Sequence, residues 1–181
     1  MTVNYREAHA MFACNRILFS HDSPRRGESF VTRKTPRGVA GCLKTGTRLR
    51  LGSLDPRRDC SHAHGYVEAI WLMLPQPTPS DYVIRTGISR SARDMVELAF
   101  GLVGLDWRDP VEFDPAYIRP TDVPQLLADL SKANHELGSY PPTSFEAMIR
   151  DMLESDLPAV GLHPGQSIVG APTTQTGAPS S

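Results

Sequence analysis

The sequence has few cysteines, and their arrangement excludes the usual cysteine-based sites. Its 181 residues include three cysteines, Cys14, Cys42 and Cys60, which are odd in number and widely spaced. This spacing matches neither a disulfide framework nor a zinc motif. Because proteins without structural disulfides are typical of reducing compartments, we expect a cytoplasmic protein.

Long hydrophobic runs and an excess of charge are also missing. No apolar run approaches the roughly 20 residues that span a bilayer, and residues 1–9 are too polar for a signal peptide. The sequence therefore predicts no membrane partner. A formal net charge of −1 argues against a dedicated nucleic-acid binder, which usually carries a basic excess.

The C-terminal tail has no charged side chains of either sign. Residues 158–181 contain no Asp, Glu, Lys or Arg, but they contain four prolines and four glycines. The tail lacks the periodic apolar content that offsets the loss of chain entropy on folding. We therefore expect residues 158–181 to be disordered.

The rest of the chain has enough apolar residues for one soluble domain. Hydrophobic residues make up 40% of the sequence, which allows a sizeable core. Strand-like and helix-like segments alternate, as in an α/β fold; the main ones are strands at 11–19, 48–51 and 81–86 and helices at 30–43, 63–74 and 144–157. In the helix at 63–74, an apolar stripe with helical spacing predicts the buried face: Val67, Ile70, Trp71 and Leu74.

A basic loop follows the first predicted strand. It runs from Ser20 to Lys34 and carries five groups suited to anions: His21, Arg25, Arg26, Arg33 and Lys34. Guanidinium groups match the geometry of phosphates and carboxylates, and a loop that leaves the carboxyl end of a strand is the usual place for a site in an α/β protein. We interpret the loop as an anion site, for instance for a nucleotide diphosphate. The alternative is a solvated charged loop.

This loop and several other runs are similar to those of a known family. The runs are Asn4-Tyr5-Arg6-Glu7-Ala8, Ser23-Pro24-Arg25-Arg26-Gly27-Glu28, Phe30-Val31-Thr32-Arg33-Lys34, Tyr66-Val67-Glu68-Ala69 and Gly104-Leu105-Asp106-Trp107. With them, the chain resembles GDP-mannose 4,6-dehydratases over residues 1–157. The run from Ser23 to Glu28 is the most specific part of this resemblance.

The resemblance implies an α/β fold that is the C-terminal part of an extended short-chain dehydrogenase/reductase. Residues 1–19 would form the end of the Rossmann core. Residues 20–157 would mainly form the smaller sugar-nucleotide-binding domain, with segments that return to the sheet. Enzymes of the family use NADP to oxidise C4 of the mannose in GDP-mannose, eliminate water across C5 and C6, and return the hydride to C6. The product is GDP-4-keto-6-deoxymannose.

The residues that catalyse this reaction are missing from the sequence. The glycine-rich NADP loop, the Thr and Glu pair and the Tyr-x-x-x-Lys of the family correspond to positions before Met1, and the chain has neither Gly-x-x-Gly-x-x-Gly nor Tyr-x-x-x-Lys. Residues 1–9 also resemble the end of a helix, so we expect another segment to precede them. We assign no catalytic residue and expect the chain alone to be inactive. The alternative is a non-catalytic sugar-nucleotide-binding or interaction module, and a homo-oligomer or a separate N-terminal half remains open as a partner.

Eight residues match ligand-binding positions of the family. His21 and Arg26 match positions that contact NADP. The positions that contact GDP-mannose are matched by Ser20, where the family has Asn, and by Val31, Lys34, Arg58, Arg119 and Asp122. In this pattern Arg58 and Arg119 bind the diphosphate, and Asp122 replaces a Glu that binds the ribose.

Two further features bear on the function. His62 and His64 have no third ligand nearby in the sequence, so we predict no metal site. The apolar strand at 11–19 would normally pair within a sheet whose other strands are largely absent. Because an exposed hydrophobic edge favours aggregation, we expect the isolated chain to be poorly soluble.

Overall fold

Helices and short strands alternate in the computed structural model, which describes residues 1–118, 128–138 and 143–169. The helices are α1 Thr2–His9, α2 Val31–Thr45, α3 Ala63–Leu72, α4 Ala92–Gly101, α5 Ser131–Leu137, α6 Phe145–Asp156 and α7 Pro164–Ser167. The strands are β1 Arg16–Leu18, β2 Ser20–Asp22, β3 Leu49–Leu51, β4 Arg57–Arg58, β5 Cys60–His62, β6 Tyr82–Ile84, β7 Arg90–Ser91 and β8 Val111–Phe113. The helices predicted at 30–43, 63–74 and 144–157 are confirmed, with ends shifted slightly. No helix in the described ranges is long and apolar enough to cross a membrane.

Strand pairing within the described residues is mainly parallel. Strand β1 pairs with β6, β2 with β5 and β3 with β8, all in parallel, whereas β4 and β7 form an antiparallel ribbon. Phe19, between β1 and β2, donates its backbone N–H to the Ile84 carbonyl at 3.2 Å. One extended segment therefore runs first along β6 and then along β5. Parallel neighbours need crossover connections, and α2 and α3 supply them as in an α/β fold.

The first strand is shorter and more exposed than predicted. It begins at Arg16 rather than Met11, and Met11 and Phe12 are about half exposed. Leu18 packs on a core cluster, but Ile17 is 58% exposed. Adjacent strand residues point to opposite faces, so only one face of β1 is covered by the described residues. The predicted strand at 11–19 is therefore wrong in its start, and its apolar residues are not all buried as those of a central strand would be.

The larger core cluster lies between α2, α4 and α6. Its fully buried members include Val39 of α2, Phe100 of α4 and Met148 of α6. Strand β3 adds Leu49, which lies so close to α2 that a Cβ on Gly38 would meet its Cδ1 at 2.6 Å. This helix layer supports the wall of the candidate site.

A second core cluster joins α3 and α5 to β6. The residues of α3 in this cluster are Tyr66 and Ala69, with Met73 just after the helix. The predicted stripe is wrong, because Val67, Trp71 and Leu74 are 62–64% exposed. The buried set has the same helical spacing, displaced by one position, so periodicity alone does not choose between the two faces.

The first part of the tail is folded. Residues 158–160 form a 3₁₀ turn, and α7 follows at Pro164–Ser167. Ile168 is 4% exposed in the larger core cluster, and Val169 donates its N–H to the Leu102 carbonyl at 2.7 Å. The prediction of disorder is wrong for 158–169, because one buried isoleucine and a backbone bond dock the segment. The rest of the tail, and the predicted contacts of Arg119 and Asp122, lie outside the described residues. The division into residues 1–19 and 20–157 stays a prediction.

Candidate functional site

A cavity of about 490 Å³ opens beside the loop that follows β2. Its walls are that loop, the first turn of α2, the segment after β3, the β4–β7 ribbon and the start of α6. Small-molecule sites typically enclose roughly 300–1,000 Å³. The cavity therefore has room for a nucleotide-sized ligand.

The basic loop divides into residues that face the cavity and residues that do not. Arg26 and Lys34 line the cavity. Arg33 is buried and forms an ion pair with Asp156 of α6, which fastens α2 to that helix. Arg25 is exposed and lies outside the cavity lining. Arg26 and Lys34 therefore remain candidates for binding an anion in the cavity, whereas Arg33 joins α2 to α6.

Arg26 is held in place by a buried carboxylate. Asp22 is 1% exposed, and its Oδ1 accepts a hydrogen bond from Thr32 Oγ1 at 2.6 Å and lies 3.1 Å from Arg26 Nε. The Arg26 guanidinium also lies 3.7 Å from the centre of the Phe30 ring. Burial raises the pKa of Asp22 above its ordinary value, against the opposing effects of the Thr32 hydrogen bond and the Arg26 charge. Asp22 and Phe30 therefore fix the direction of Arg26.

His21 faces a different direction from Arg26. Its Nδ1 lies 2.9 Å from the Phe19 carbonyl oxygen, so this nitrogen donates, and its ring is 5.2 Å from the ring of Tyr66. The Tyr66 hydroxyl donates to the Ser20 carbonyl at 3.3 Å. His21 is not among the residues that line the cavity. Of the two residues matched to NADP contacts, only Arg26 lines the cavity, and its Nη1 donates to the His21 backbone carbonyl at 3.4 Å.

Four of the six residues matched to substrate contacts lie together in the cavity wall: Ser20, Val31, Lys34 and Arg58. Lys34 Nζ is 3.3 Å from the centre of the Tyr117 ring, and Val31 lies one turn away on the same helix. Arg58 Nη1 donates to the Arg57 carbonyl at 2.7 Å. The structure brings these four residues together although 38 positions separate Ser20 from Arg58.

The cysteine and histidine side chains at and near the cavity favour neither nucleophilic catalysis nor metal binding. Cys60 lines the cavity, but burial raises the pKa of its thiol to about 12, so it stays protonated near neutral pH. His62 Nδ1 accepts the His64 backbone N–H at 3.1 Å, and its Nε2 donates to Asp151 at 3.2 Å. The described ranges contain no group of three His, Cys, Asp or Glu side chains that could hold a metal ion.

Several residues of the cavity wall were not found from the sequence. Arg90 of β7, Tyr117 and Phe145 all line the cavity, and Arg90 lies with its guanidinium carbon 5.7 Å from the centre of the Phe145 ring. Phe145 lies at the start of the helix predicted at 144–157, and Arg90 and Tyr117 lie in segments without a recognised motif. No local sequence pattern marks these residues. Each belongs to a different segment, and the fold brings the three segments together at the cavity.

Comparison with curated proteins identifies one family. The family model described as GDP-mannose 4,6 dehydratase matches residues 1–152. GDP-mannose 4,6 dehydratase 1 of Arabidopsis thaliana is 50% identical over 158 residues, which cover 86% of this chain and 44% of that protein. The GDP-mannose 4,6-dehydratase of Vibrio cholerae is 40% identical, covering 90% of this chain and 51% of that protein. The chain thus spans about half the length of the curated relatives that it matches.

Solved structures support the fold. RMD from Pseudomonas aeruginosa, complexed with NADPH, superposes with a TM-score of 0.78 at 18% identity and covers 87% of this chain and 52% of its own. The dTDP-glucose 4,6-dehydratase of Bacillus anthracis, complexed with NAD, gives 0.71 at 18% identity over 85% and 47%. At this identity the likeness concerns the fold alone. The predicted fold class, part of an extended short-chain dehydrogenase/reductase, is confirmed.

Proposed function

Because the chain belongs to the GDP-mannose 4,6-dehydratase family, we propose that its cavity binds the nucleotide diphosphate of GDP-mannose. In this proposal the chain is the sugar-nucleotide-binding part of a dehydratase. The substrate of the complete enzyme is GDP-mannose, and its product is GDP-4-keto-6-deoxymannose.

The observation that carries the proposal is the set of cations in the cavity wall. Arg26, Lys34 and Arg58 line the same cavity of about 490 Å³. A diphosphate is a compact anion, and charge-assisted hydrogen bonds to guanidinium and ammonium groups are among the strongest in proteins. Phe30 and Val31 add apolar surface beside these charges, which suits the face of a purine base.

The chain alone does not fit a complete site for NADP. A dinucleotide's pyrophosphate usually lies on a glycine-rich turn at a helix N-terminus, and the sequence contains no Gly-x-x-Gly-x-x-Gly. Of the two residues matched to NADP contacts, Arg26 lines the cavity, whereas His21 uses Nδ1 to bind the Phe19 carbonyl. We therefore propose that Arg26 and His21 contribute only one side of an NADP site. No hydride-transfer step is assigned to this chain.

The same reasoning predicts no dehydratase activity for the isolated chain. Oxidation at C4 needs a base near the hydroxyl group, and the sequence has no Tyr-x-x-x-Lys to supply one. Incubation with GDP-mannose and NADP is expected to give no 4-keto-6-deoxy product. Product formation above a blank without protein would contradict this expectation.

Calorimetric titration of the full chain with GDP tests the binding proposal. We expect saturable binding, and we expect Lys34→Ala to weaken it about tenfold because one charge-assisted contact is lost. Lys44→Ala is the matched control, since Lys44 is an exposed lysine near the end of the same helix and lies outside the cavity. No heat of binding at millimolar GDP, or equal effects of the two substitutions, would reject the proposal.

We further propose that an N-terminal half completes the enzyme. The β1–β6 pair is parallel and two-stranded within the described residues, and Ile17 of β1 is 58% exposed. Small two-stranded sheets are marginally stable alone, so a larger sheet is the natural setting for this pair. The curated relatives are about twice as long as the matched part. We propose that the unmatched part of such a protein supplies the additional strands.

A complementation experiment tests this partner. The part of the Arabidopsis thaliana relative not covered by the match is mixed with this chain, and GDP-mannose and NADP are added. We expect co-elution of the two polypeptides and formation of the 4-keto-6-deoxy product. Separate elution would exclude this partner, and self-association of this chain instead would favour a homo-oligomer.

We also propose a cytoplasmic location. Cys14, Cys42 and Cys60 are free thiols in the structure. Free cysteines are typical of proteins in a reducing compartment. Fractionation of the source cells, with antibody detection of the chain, tests the location, and recovery outside the cytoplasmic fraction would contradict it.

A further inference from the structure

The β4–β7 ribbon places two arginines directly opposite each other. In its antiparallel register Arg58 pairs with Arg90, and Arg57 pairs with Ser91. Side chains directly opposite on neighbouring strands have Cβ atoms roughly 4.5–5.5 Å apart, and like charges in that position are destabilising. The ribbon therefore brings two guanidinium groups to one point of the cavity wall.

Both of these arginines line the cavity, whereas Arg57 does not. Arg57 Nη2 donates to the Ser89 carbonyl at 2.8 Å and lies 3.7 Å from Asp94 Oδ2. Asp94 stays ionised, because a hydrogen bond from the Ser91 backbone N–H and the charges of Arg57 and Arg90 hold its pKa below the ordinary value. Asp94 thus compensates part of the ribbon's charge from outside the cavity, and Arg58 and Arg90 remain on the cavity side.

The structure shows two weak interactions of Arg90 with the protein, one with the Asp94 carboxylate, whose pKa its charge helps to lower, and one with the Phe145 ring. The Arg90 guanidinium carbon is 5.7 Å from the centre of the Phe145 ring, close to the roughly 6 Å limit for a cation–π interaction. The side chain is also exposed. A purely structural role for Arg90 would predict a closer or more buried contact.

We propose that Arg90 binds a phosphate of the nucleotide diphosphate, together with Arg58 on the facing strand. The inference rests on the proposed function, because it assigns a further ligand to the same cavity. Two planar guanidinium groups on neighbouring strands can each donate paired hydrogen bonds to the oxygens of one diphosphate. Arg90 was absent from the set of residues matched to substrate contacts, so it adds to that set.

The inference is tested by titrating the full chain with inorganic pyrophosphate, GDP and guanosine. We expect Arg90→Ala to raise the dissociation constants of pyrophosphate and GDP at least about tenfold, because a charge-assisted contact is lost. The dissociation constant of guanosine should not change. Arg90→Lys keeps the charge but not the planar fork, so it should recover part of the affinity. The salt dependence of pyrophosphate binding should become weaker in Arg90→Ala.

Arg108→Ala is the matched control, since Arg108 is an exposed arginine that pairs with Asp106 outside the cavity. Thermal unfolding of each variant checks that the ribbon stays folded. Equal affinity of wild type and Arg90→Ala for GDP would overturn the inference and leave the proposed function intact. If pyrophosphate binding depends on Arg90 but GDP binds no more tightly than pyrophosphate, Arg90 is a phosphate ligand and the proposed nucleotide specificity is rejected. If the wild type binds neither pyrophosphate nor GDP, the role of Arg90 and the proposed function are both rejected.

Discussion

At the scale of single residues, the Asp59 carboxylate holds the end of β6 against the β4–β5 segment. It is 1% exposed and accepts hydrogen bonds from Arg85 Nε at 2.9 Å, Thr86 N at 3.0 Å, Thr86 Oγ1 at 2.7 Å and Gly87 N at 2.8 Å. Arg85 is also buried, at 4% exposure, and donates to the Ala128 carbonyl at 3.0 Å. Since Asp59 directly follows Arg58, this network also fixes one side of the cavity.

Removal of the Asp59 carboxylate is expected to destabilise the fold strongly. Asp59→Ala leaves the Arg85 charge buried without its carboxylate, and such a loss typically costs about 3–5 kcal/mol of unfolding free energy. Denaturant unfolding monitored by circular dichroism measures the change. Asp106→Ala is the control, because Asp106 is an exposed carboxylate paired with Arg108. Equal midpoints for the two variants would show that the network contributes little.

The buried carboxylate of Asp22 predicts a pH effect on stability. Burial raises its pKa in the folded chain, so the unfolded chain loses this proton at a lower pH than the folded chain. The stabilisation is complete below the unfolded pKa of about 3.9 and is lost as pH rises through the raised folded pKa.

Comparison of wild type with Asp22→Asn isolates this group from the other carboxylates. We expect the unfolding free energy of wild type to fall relative to Asp22→Asn between pH of about 4 and the raised folded pKa, and to level off above it. Urea unfolding of both proteins over that range measures the difference. A difference that rises with pH would mean that the Arg26 pair outweighs the burial of Asp22.

At the scale of elements, two glycines of α2 have opposite environments. A Cβ on Gly38 would lie 2.6 Å from Leu49 Cδ1, whereas a Cβ on Gly41 would meet nothing within 4 Å. Leu49 is 4% exposed in the larger core cluster, so it has little room to move. The close approach of α2 and β3 therefore depends on Gly38.

Alanine substitutions at these two positions are expected to have opposite signs. Gly38→Ala should cost about 1–3 kcal/mol of unfolding free energy, because it overpacks the contact with Leu49. Gly41→Ala should stabilise the chain by about 0.5–1 kcal/mol, since alanine loses less backbone entropy in a helix. Chemical unfolding of the two variants tests both signs. A stabilising Gly38→Ala would mean that Leu49 repacks freely.

Helix positions could be predicted from the sequence better than helix faces. The apolar spacing of α2, α3 and α6 located these helices to within a few residues. On α3, however, the set with Val67 and Trp71 and the set with Tyr66 and Ala69 have the same period, and the partner elements decide between them. Tyr66 packs with Tyr82 and Leu137, which are distant in sequence. The face therefore depends on tertiary contacts that the local pattern does not contain.

At the scale of the whole molecule, the cavity is assembled from distant segments. Residues that lie in family motifs, such as Val31, Lys34 and Arg58, could be found from the sequence. Arg90, Tyr117 and Phe145 could not, because their positions follow from the β4–β7 register, the 3₁₀ turn at Pro115–Tyr117 and the start of α6. Each of these is a consequence of long-range packing.

The whole molecule also has an exposed apolar face on α3 and the turn that follows it. Val67, Trp71 and Leu74 are each more than 60% exposed and follow one another at helical spacing. Contiguous exposed apolar residues of this kind mark interaction surfaces or cause aggregation. Since these side chains contribute little to the core, their replacement should change association without changing the stability of the fold.

We expect the isolated chain to self-associate through this face. A variant with Val67→Lys, Trp71→Lys and Leu74→Gln should sediment as a monomer at concentrations where the wild type associates, and its thermal unfolding midpoint should remain unchanged. Met73→Lys is the control, because Met73 is 3% exposed in the second core cluster and a lysine there buries a charge without a partner. Met73→Lys should unfold the chain rather than convert it to a folded monomer. A monomeric wild type with a sharp, cooperative melt would refute the prediction, because the exposed face would then be tolerated by the folded chain in water.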